Sequence, residues 1–339
     1  MSPVTLGDIK DEQIVLGHGA GGRKMHRLIR SVFLREFGSP ELARLEDAAV
    51  LPGRLAISTD SYVVRPLFFP GGDIGKLAVC GTVNDLAMVG AEPLFLSVAI
   101  VMREGTATEV IERIARSIGR TARAAGVRVV TGDTKVIERG EDDGVYLNTT
   151  GLGRVRAGVK LGAERIRAGD AVVLSGGLGE HEAAVAVGRG LFRFRSKVKS
   201  DCACLHRLAR AMTATGVVRM MRDPTRGGLA TTLNEMADSS GLGIIVDEDR
   251  ITVRPEVRGV ASLLGLDPLY MANEGRVVAV CTKPGARPLV KAMRANPLGR
   301  GAAVIGEVTA ELEGVWLRTG VGGLRRLIML EGAQLPRIC

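Results

Sequence analysis

The stretch from residue 74 to residue 101 reads IGKLAVCGTVNDLAMVGAEPLFLSVAIV. Its first half has the length and period of a buried helix, and its second half is an apolar run of strand length. A strand-like run precedes it at residues 55–59, and a helix-period segment and another strand-like run, at residues 127–130, follow it. Strands that alternate with helices predict an α/β fold for this part of the chain.

The helix-period segment between residues 108 and 125 carries one apolar stripe. Arg113, Arg116 and Arg120 fall away from that stripe. Its spacing predicts a helix whose apolar face is core and has no functional role. The residues of the stripe are Ile111, Ile114, Ala115, Ile118, Ala122 and Ala125.

A change of composition divides the chain near residues 155–168. This stretch is rich in Arg, Gly and Lys, and its apolar residues follow no clear helix or strand period. Beyond it the alternation resumes, with helix patterns at 182–187, 204–213 and 229–238 and strand runs at 170–175, 243–246 and 277–281. We therefore predict a second α/β domain. The predicted segments are an amino-terminal extension with a glycine-rich stretch (1–40), a first domain (41–155), a second domain (165–331) and a mobile tail (332–339).

Composition narrows the functional classes. The chain has 339 residues, 46% of them hydrophobic and 24% charged, which is typical of a globular protein with real cores. We find no signal peptide and no apolar run long enough to span a membrane, so we expect a cytoplasmic protein. The net charge is +9, but arginines are dispersed and aromatic residues are only 3%, which argues against nucleic-acid binding.

Five cysteines are present, at positions 80, 202, 204, 281 and 339. Their spacing fits neither a disulfide framework nor a four-ligand zinc site, and we interpret the pair Cys202 and Cys204 as structural. Cys339 is the last residue of the tail. Such a thiol can enter a pocket and carry a covalent load, although an incidental terminal residue is an equally simple interpretation.

A glycine-rich stretch lies near the amino terminus, where Gly17, Gly19 and Gly22 satisfy the G-x-G-x-x-G pattern. The match is weak, because no compact βαβ unit surrounds it. The chain also lacks a P-loop motif, so any use of ATP would rely on another arrangement.

Five aspartates share a turn or small-residue setting, four of them at or near the end of an apolar run. Carboxylates at strand ends line the ligand crevice of α/β sheets, and Mg²⁺ prefers such oxygen ligands together with substrate phosphates. Singly each acid fits a turn or cap role, but together they favour a magnesium–nucleotide site. They are Asp47, Asp60, Asp85, Asp133 and Asp223. Lys135 and Glu274 are candidates for proton transfer or charge balance, and a surface role is the alternative for each.

These motifs together closely resemble the HypE family of hydrogenase maturation factors, within the wider group of PurM-like enzymes related to aminoimidazole ribonucleotide synthetase. The resemblance covers nearly the whole chain, and the ending Pro336-Arg337-Ile338-Cys339 separates it from kinases and synthetases of the same group. The other matching segments are residues 18–22, 58–66, 69–73, 80–88, 131–135, 222–228 and 273–276.

The resemblance implies a two-domain α/β (α+β) fold whose amino-terminal domains form a shared β-barrel in a homodimer. It implies that the five aspartates bind Mg²⁺ and that Cys339, Lys135 and Glu274 are catalytic. Separately, we expect Arg337 to position the tail by contact with phosphate. Residues implied to bind ATP and its phosphates are Gly19, Gly21, Gly22, Lys76, Asn84, Arg226, Gly227 and Gly228.

The reaction implied by the resemblance is the dehydration of a carbamoyl group. HypF loads the group onto the terminal cysteine, ATP phosphorylates its oxygen, and elimination leaves a cyanated cysteine. The cyanide then passes to iron on the HypC and HypD scaffold. Two alternatives stay open from the residues alone: a small-molecule kinase of the same fold with an incidental cysteine, and a carrier without enzymatic activity.

Two places depart from the family pattern. Cys204 stands where we expect proline, and Glu180-His181-Glu182 replaces a more usual Asp-His-Gly. Neither departure touches the five aspartates or the tail, so we expect the function to be retained.

Overall fold

The computed structural model describes residues 13–140, 144–190 and 196–339. In the first half, a five-stranded sheet has the order β1-β2-β7-β5-β6, with β5 and β6 parallel and the other neighbours antiparallel. Strands β3 and β4 form a separate hairpin. The strands are β1 (Ala49–Leu51), β2 (Leu55–Tyr62), β3 (Phe68–Phe69), β4 (Gly72–Asp73), β5 (Ala91–Arg103), β6 (Arg128–Ile137) and β7 (Val145–Val155).

Four helical segments accompany this sheet. They are α1 (Arg23–Leu28) and α2 (Leu34–Phe37), joined by a π-helical turn at Ile29–Phe33, and then α3 (Ile74–Met88) and α4 (Thr108–Ala125). The predicted helix at 74–88 is confirmed. The Asp73 carboxylate caps α3 by accepting the N–H of Lys76 at 2.9 Å, and only Lys76 and Asp85 of this helix are not buried.

The predicted apolar stripe of α4 is wrong at one residue, Ala115. Ala115 is exposed and Ser117 is buried, because the Ser117 hydroxyl donates to the Asp73 carboxylate at 2.8 Å. Ala115 instead lines an open groove beside Val129 and Gly132 of β6. Helix α4 therefore covers β5 and leaves part of the β6 edge uncovered.

The second half of the chain contains a seven-stranded sheet of order β14-β13-β10-β12-β8-β11-β9. Its β13 is parallel to β10 and its other neighbours are antiparallel. The strands are β8 (Ala171–Leu174), β9 (Val218–Arg222), β10 (Gly243–Asp247), β11 (Val278–Cys281), β12 (Ala303–Thr309), β13 (Val315–Arg318) and β14 (Leu324–Arg326). The helices are α5 (Glu180–Gly188), α6 (His206–Thr213), α7 (Gly228–Ser240), α8 (Pro255–Leu264) and α9 (Ala286–Arg294).

Helix α3 joins the two halves. Its apolar side chains belong both to the core of the first sheet and to a second core shared with α6, β9 and β11. A helix that is apolar on every side must be buried on every side, and the two sheets supply that cover. Within the ranges given above, no helix is long and apolar enough to cross a membrane.

The first sheet has two unlike faces, and their difference positions the candidate site. The inner face, covered by α3, carries the buried side chains Ser58 and Tyr62 of β2, with Asp60 between them. The outer face carries the alternate residues. Asp133 pairs with Ala99, Ala99 with Asn148, and Asn148 with Ser61, so Asp133 shares the outer face with Ser61.

Candidate active site

The tail is docked against the residues that follow β2. The N–H of Val63 donates to the carbonyl of Cys339 at 3.1 Å, and the N–H of Arg65 donates to the carbonyl of Arg337 at 3.2 Å. The side chain of Ile338 is buried in the core beneath α3. The last three residues therefore lie alongside residues 63–65, directly after β2.

Two side chains of the second domain hold the tail in place. The buried ring of His181 lies 3.0 Å (Nε2) from the carbonyl of Ile338 and 2.8 Å (Nδ1) from the Ser200 hydroxyl. Burial lowers the pKa of His181 to about 4, so the ring is neutral and Nε2 carries the proton that the carbonyl accepts. The Arg189 guanidinium donates to the carbonyls of Pro336 and Arg337, the latter at 2.8 Å.

Arg337 itself contributes an anchor. Its Nε donates to the carbonyl of Val63 at 3.0 Å, and its guanidinium lies 5.9 Å from the centre of the Tyr146 ring. Its φ of 55° lies in the left-handed region, which non-glycine residues seldom adopt. The geometry gives Arg337 contacts with protein backbone that fix the tail's path.

The docked thiol of Cys339 lies in a mixed electrostatic environment. Burial raises its pKa to about 12, and the Arg226 guanidinium opposes that rise, while Glu274 and Asp60 add to it. Proximity to the Cys339 sulfur also raises the pKa of Arg226. At neutral pH the thiol is protonated in this position, so the docked tail presents a poor nucleophile.

Four of the five predicted aspartates lie close together, and we call them the acid cluster: Asp47, Asp60, Asp85 and Asp223. Burial raises the pKa of Asp85 well above its usual range, and the carboxylates of Asp223 and Asp60 raise it further. The pKa of Asp223 is raised by burial and then by Asp47. The Ser58 hydroxyl donates to Asp85 at 2.5 Å, but Asp223 Oδ2 is buried with no hydrogen-bond partner. Such a cluster is short of positive charge.

Asp47 forms an ion pair with an arginine of the second domain. Arg222 lies 2.8 Å from Asp47 Oδ1 and 3.2 Å from Glu235, and Glu235 in turn lies 3.0 Å from His26 of α1. Burial still raises the pKa of Asp47 to about 6, with Arg222 opposing. This chain of charges attaches the amino-terminal helix to α7, so Asp47 has a structural role besides any metal role.

The acid cluster fits a metal ion that keeps other ligands. Within residues 13–140, 144–190 and 196–339, there is no group of three or more His, Cys, Asp or Glu side chains that could hold a metal ion. Mg²⁺ does not need one, because it commonly binds one or two carboxylates and completes its shell with water and phosphate oxygens. The unpartnered oxygen of Asp223 and the raised pKa values of Asp85 and Asp223 are the features that such a cation would relieve.

The glycine-rich stretch packs beside this cluster. A Cβ on Gly21 would lie 2.8 Å from atoms of Arg226, and one on Gly22 would lie 2.4 Å from the carbonyl oxygen of Leu330. Arg226 donates to the carbonyl of Gly19 at 3.0 Å. The N–H of Arg23 is bonded to that same Leu330 carbonyl at 2.8 Å. Close packing therefore explains Gly21 and Gly22 in this state, and the stretch borders the Asp223–Gly228 loop.

Other predicted nucleotide ligands fall in different places. Gly227 (φ 78°) and Gly228 (φ 61°) form the left-handed turn that begins α7, directly after Arg226. Lys76 points into a separate cleft and donates to the carbonyl of Gly71 at 2.9 Å. These positions place the two glycines, but not Lys76, next to the acid cluster.

The structure gives Asn84 a different role from the predicted nucleotide ligand. Its amide nitrogen donates to the carbonyls of Ala203 and Glu274 at 3.1 and 3.4 Å, and its oxygen accepts the N–H of Leu205 at 2.7 Å. The side chain is fully buried. Asn84 is a clasp between α3 and the second domain, because its hydrogen-bonding capacity is directed at backbone groups.

Within one chain, the predicted residues Asp133 and Lys135 do not lie at the acid cluster. They lie on the exposed edge strand β6, 2.9 Å apart, and the neighbouring Lys135 lowers the pKa of Asp133. Period-two alternation puts both on the outer face, opposite Asp60. The sequence alone does not predict this position of Asp133 and Lys135. It shows that side chains alternate along a strand, but not which strands pair.

Comparison with known proteins agrees with this architecture. Residues 45–155 match the family described as AIR synthase related protein, N-terminal domain, and residues 167–316 match its C-terminal domain. The carbamoyl dehydratase HypE of Rhodobacter capsulatus is 50% identical over 338 residues, which cover 98% of this chain and 99% of that protein. The chain belongs to the HypE family of carbamoyl dehydratases. The predicted family, two-domain fold and enzyme class are thereby confirmed.

Solved HypE structures share the fold. A HypE–HypF complex has a TM-score of 0.86 and 40% identity, over 89% of this chain and 99% of that chain. A HypE structure in complex with ATP has a TM-score of 0.81 and 45% identity, over 96% of this chain and 100% of that chain. Both alignments span nearly all of the solved HypE chain.

In this HypE-family chain several site residues escaped the sequence analysis. His181 binds the tail, and Arg222 balances the charge of Asp47. Glu182 lies near Cys339 and raises its pKa. Burial raises the pKa of Glu182 itself to about 7, although its Oε2 accepts the N–H of Ala272 at 2.8 Å, and its Oε1 is buried with no partner. Glu182 was signalled by its departure from the family pattern, whereas His181 matches that pattern. The expectation that the 180–182 departure does not touch the tail is wrong, because Glu182 lies near Cys339.

Proposed function

We propose that this carbamoyl dehydratase acts on a carbamoyl group carried by Cys339, using ATP and Mg²⁺ at the acid cluster. The observation that supports it most is the docked tail, which delivers the terminal sulfur to Arg226, Glu274 and Asp60. A structure of a related HypE contains ATP, and the glycine-rich stretch and the Asp223–Gly228 loop border the cluster in this chain. The sulfur, the acids and the phosphate-binding candidates thus lie in one region.

The chemistry needs a leaving group and a route for protons. A carbamoyl oxygen leaves poorly. It therefore attacks the γ-phosphorus of ATP, the bond from that phosphorus to the bridging oxygen breaks and ADP leaves, and the phosphorylated oxygen can then depart as phosphate. The C–O bond then breaks and the nitrogen loses its two protons, which leaves an S-cyano group on Cys339. Mg²⁺, held by Asp223 and Asp85, would supply the positive charge that stabilises the transferring phosphoryl group.

Loading and dehydration require different positions of the tail. The docked Cys339 thiol is protonated, because its pKa is about 12, and cannot attack a carbamoyl donor efficiently. We infer that loading occurs with the tail released and that the carbamoylated tail then docks through Val63, His181 and Arg189. Arg337 positions the tail through the Val63 carbonyl.

Two carboxyl groups near the sulfur are candidates for proton removal. Glu274 is buried, and burial together with neighbouring acids raises its pKa well above its usual range. Glu182, with a pKa of about 7, is poised to accept a proton near neutral pH. Lys135 completes the predicted catalytic set only if another chain delivers it.

In a homodimer, Lys135 of one chain could reach the acid cluster of the other. Strand β6 is a ten-residue edge strand that is exposed along nearly all of its length, with Val136 64% and Val130 56% exposed. Long exposed edge strands with apolar side chains pair with another chain or aggregate. We propose that two copies associate through the outer face of this sheet, and that Asp133 and Lys135 of one copy serve the acid cluster of the other.

The partners follow from the chemistry of loading and release. A related HypE forms a complex with HypF, and we propose HypF as the carbamoyl donor for Cys339. HypC and HypD, as the iron-bearing scaffold, are the proposed acceptors of the cyanide. We place the protein in the cytoplasm, where its five free cysteines would stay reduced.

The proposal is tested by measuring how much ADP forms for each carbamoyl group carried on Cys339. The protein is loaded with HypF and carbamoyl phosphate, separated, and given Mg-ATP, and ADP is counted per loaded chain. We expect one ADP for each carbamoyl group lost, and none from Cys339→Ala. Equal ADP production by Cys339→Ala would indicate a kinase with an incidental cysteine. Dehydration without any nucleotide would refute the ATP step.

A further inference from the structure

Three thiols form a cluster between α3 and the segment that precedes α6. Cys80 Sγ lies 3.4 Å from Cys204 Sγ, and the nearby Cys202 raises the pKa of the Cys80 thiol. Cys80 and Cys202 are buried, whereas Cys204 is partly exposed. The dehydratase chemistry proposed above uses none of them.

The two closest thiols belong to different halves of the fold. Cys80 lies on α3, one turn from Asn84, and Cys204 lies in the segment that precedes α6. Asn84 binds that segment on both sides of Cys204, through the Ala203 carbonyl and the Leu205 N–H. This clasp keeps the two sulfur atoms facing each other, so their proximity is built into the fold.

Solvent reaches one member of the pair. A cleft of about 690 Å³ is lined by Cys80, Cys204 and the basic residues Lys76, Arg120 and Arg207. The hydrogen bond from Cys80 lowers the pKa of Cys204, and the charges of Lys76 and Arg207 lower it further. A thiol that is accessible, close to cations and hydrogen-bonded by another thiol has the setting of an oxidant-sensitive cysteine.

We propose that Cys204 is a peroxide-reactive thiol and that Cys80 is its resolving partner, so that oxidation joins α3 to the segment before α6 by a disulfide. Cys204 attacks a hydroperoxide, the O–O bond breaks, and the sulfur becomes a sulfenic acid as the alcohol or water leaves. The Cys80 sulfur then attacks the sulfenic sulfur, the S–S bond forms and a second water leaves. The two thiols together supply the two electrons that reduce the peroxide.

The geometry favours this pair over other combinations. An S–S bond of about 2.05 Å requires the two sulfur atoms to approach by roughly 1.4 Å, which is within the reach of side-chain rotation. Cys202 is also near Cys80, but it is only 2% exposed and does not meet the oxidant first. Cys339, with a pKa of about 12 in the docked tail, is the poorer nucleophile.

Peptide mapping of the full chain tests the proposal. The protein is treated with one equivalent of hydrogen peroxide, alkylated and digested with trypsin without reduction. Cleavage after Lys76, Arg103, Lys199 and Arg207 yields peptide 77–103, containing Cys80, and peptide 200–207, containing Cys202 and Cys204. We expect these two peptides joined, two thiols lost per peroxide consumed, and full reversal by dithiothreitol.

Matched variants assign the bridge. We expect Cys202→Ser to form it at a rate within about twofold of the native chain, and Cys204→Ser to lose it. A bridge that persists in Cys204→Ser overturns the assignment, as does preferential oxidation of Cys281 or Cys339. Because a variant can misfold, the alkylation rates of Cys204 and Cys281 are also compared within the native chain. Cys204 must react faster, since Cys281 is buried and its pKa is raised to about 12.

Discussion

The two faces of the first sheet carry the same residue type in opposite electrostatic states. On the inner side, Asp85 of α3 is partly buried near Asp60 and Asp223, and its pKa is raised. On the outer side, Asp133 is exposed beside Lys135, and its pKa is lowered. Burial and like charges prepare the inner acids to receive a cation, whereas the outer pair is already neutralised by its own chain.

This difference shows which predicted site residues a single chain does not bring together. The inner face holds the tail, the sulfur and most of the predicted acids, which are the proposed reaction centre. The outer face holds two predicted site residues that lie on the wrong side of the sheet to reach that centre. A second copy is the simplest way to join them.

Removing the sulfur gives the largest expected effect. Cys339→Ala abolishes carbamoyl loading and dehydration, because no other residue occupies the end of the tail. Nucleotide binding, measured by calorimetry with Mg-ATP, stays within about twofold, since the acid cluster is unchanged. A variant that still dehydrates carbamoyl groups would contradict the role of the inner face.

Asp223→Asn separates activity from stability. We expect dehydration to fall about 100-fold or more, because a charged ligand of the metal and phosphates is lost. Without metal the variant is more stable than the native chain at neutral pH by about 1–3 kcal/mol, since it removes a buried carboxylate with an unpartnered oxygen.

The pH dependence of that stability difference has a definite sign. The folded-state pKa of Asp223 is raised above its unfolded value, so the native chain loses stability as pH rises through that interval, and the asparagine variant does not. Chemical denaturation in metal-free buffer at several pH values measures this. Asp133→Asn is the exposed control and should leave the unfolding curve unchanged.

Mixing variants tests whether the two faces cooperate across a dimer. Asp133→Asn and Asp223→Asn are each expected to be inactive alone. In a heterodimer, one site combines the intact Asp223 of one chain with the intact Asp133 of the other. Random mixing should therefore restore about a quarter of the native activity. Normal activity of Asp133→Asn alone would remove the outer face from the mechanism.

Glu182→Gln gives the smallest effect. We expect a decrease of about tenfold in single-turnover dehydration, in line with the loss of one proton acceptor among several. Because the base must be deprotonated, the native rate should rise with pH through about 7, and this limb should disappear in the variant. An unchanged pH profile would assign Glu182 to support of the Ala272 backbone only.

Much of the fold could be predicted from local patterns. The span of α3, residues 74–88, was predicted correctly, because an uninterrupted apolar segment of that length has few alternatives. Ala115 was misplaced because helical period alone does not show where a neighbouring strand ends its cover. Strand pairing, which puts Asp133 opposite Asp60, depends on long-range contacts that periodicity does not encode.

The site was predictable to the extent that it depends on residue type. The acids that gather at the inner face were found from their turn settings, and Cys339 from its position at the end of the chain. His181 and Arg189 were missed, because a helix residue that binds a distant backbone carbonyl has no local signature. The backbone contacts of Asn84 were missed for a similar reason, since its partners lie about 120 and 190 residues away.

The central claim is that the acid cluster dehydrates a group held on Cys339, and the intact mass of the loaded chain tests it most directly. The protein is loaded with carbamoyl by HypF, and its mass is followed after addition of Mg-ATP, with Asp223→Asn in parallel. We predict that the native adduct on Cys339 loses the mass of one water only when ATP is present, and that the Asp223→Asn adduct keeps it. An adduct on Cys339 that never loses water, or loses it equally in both proteins, would contradict the account.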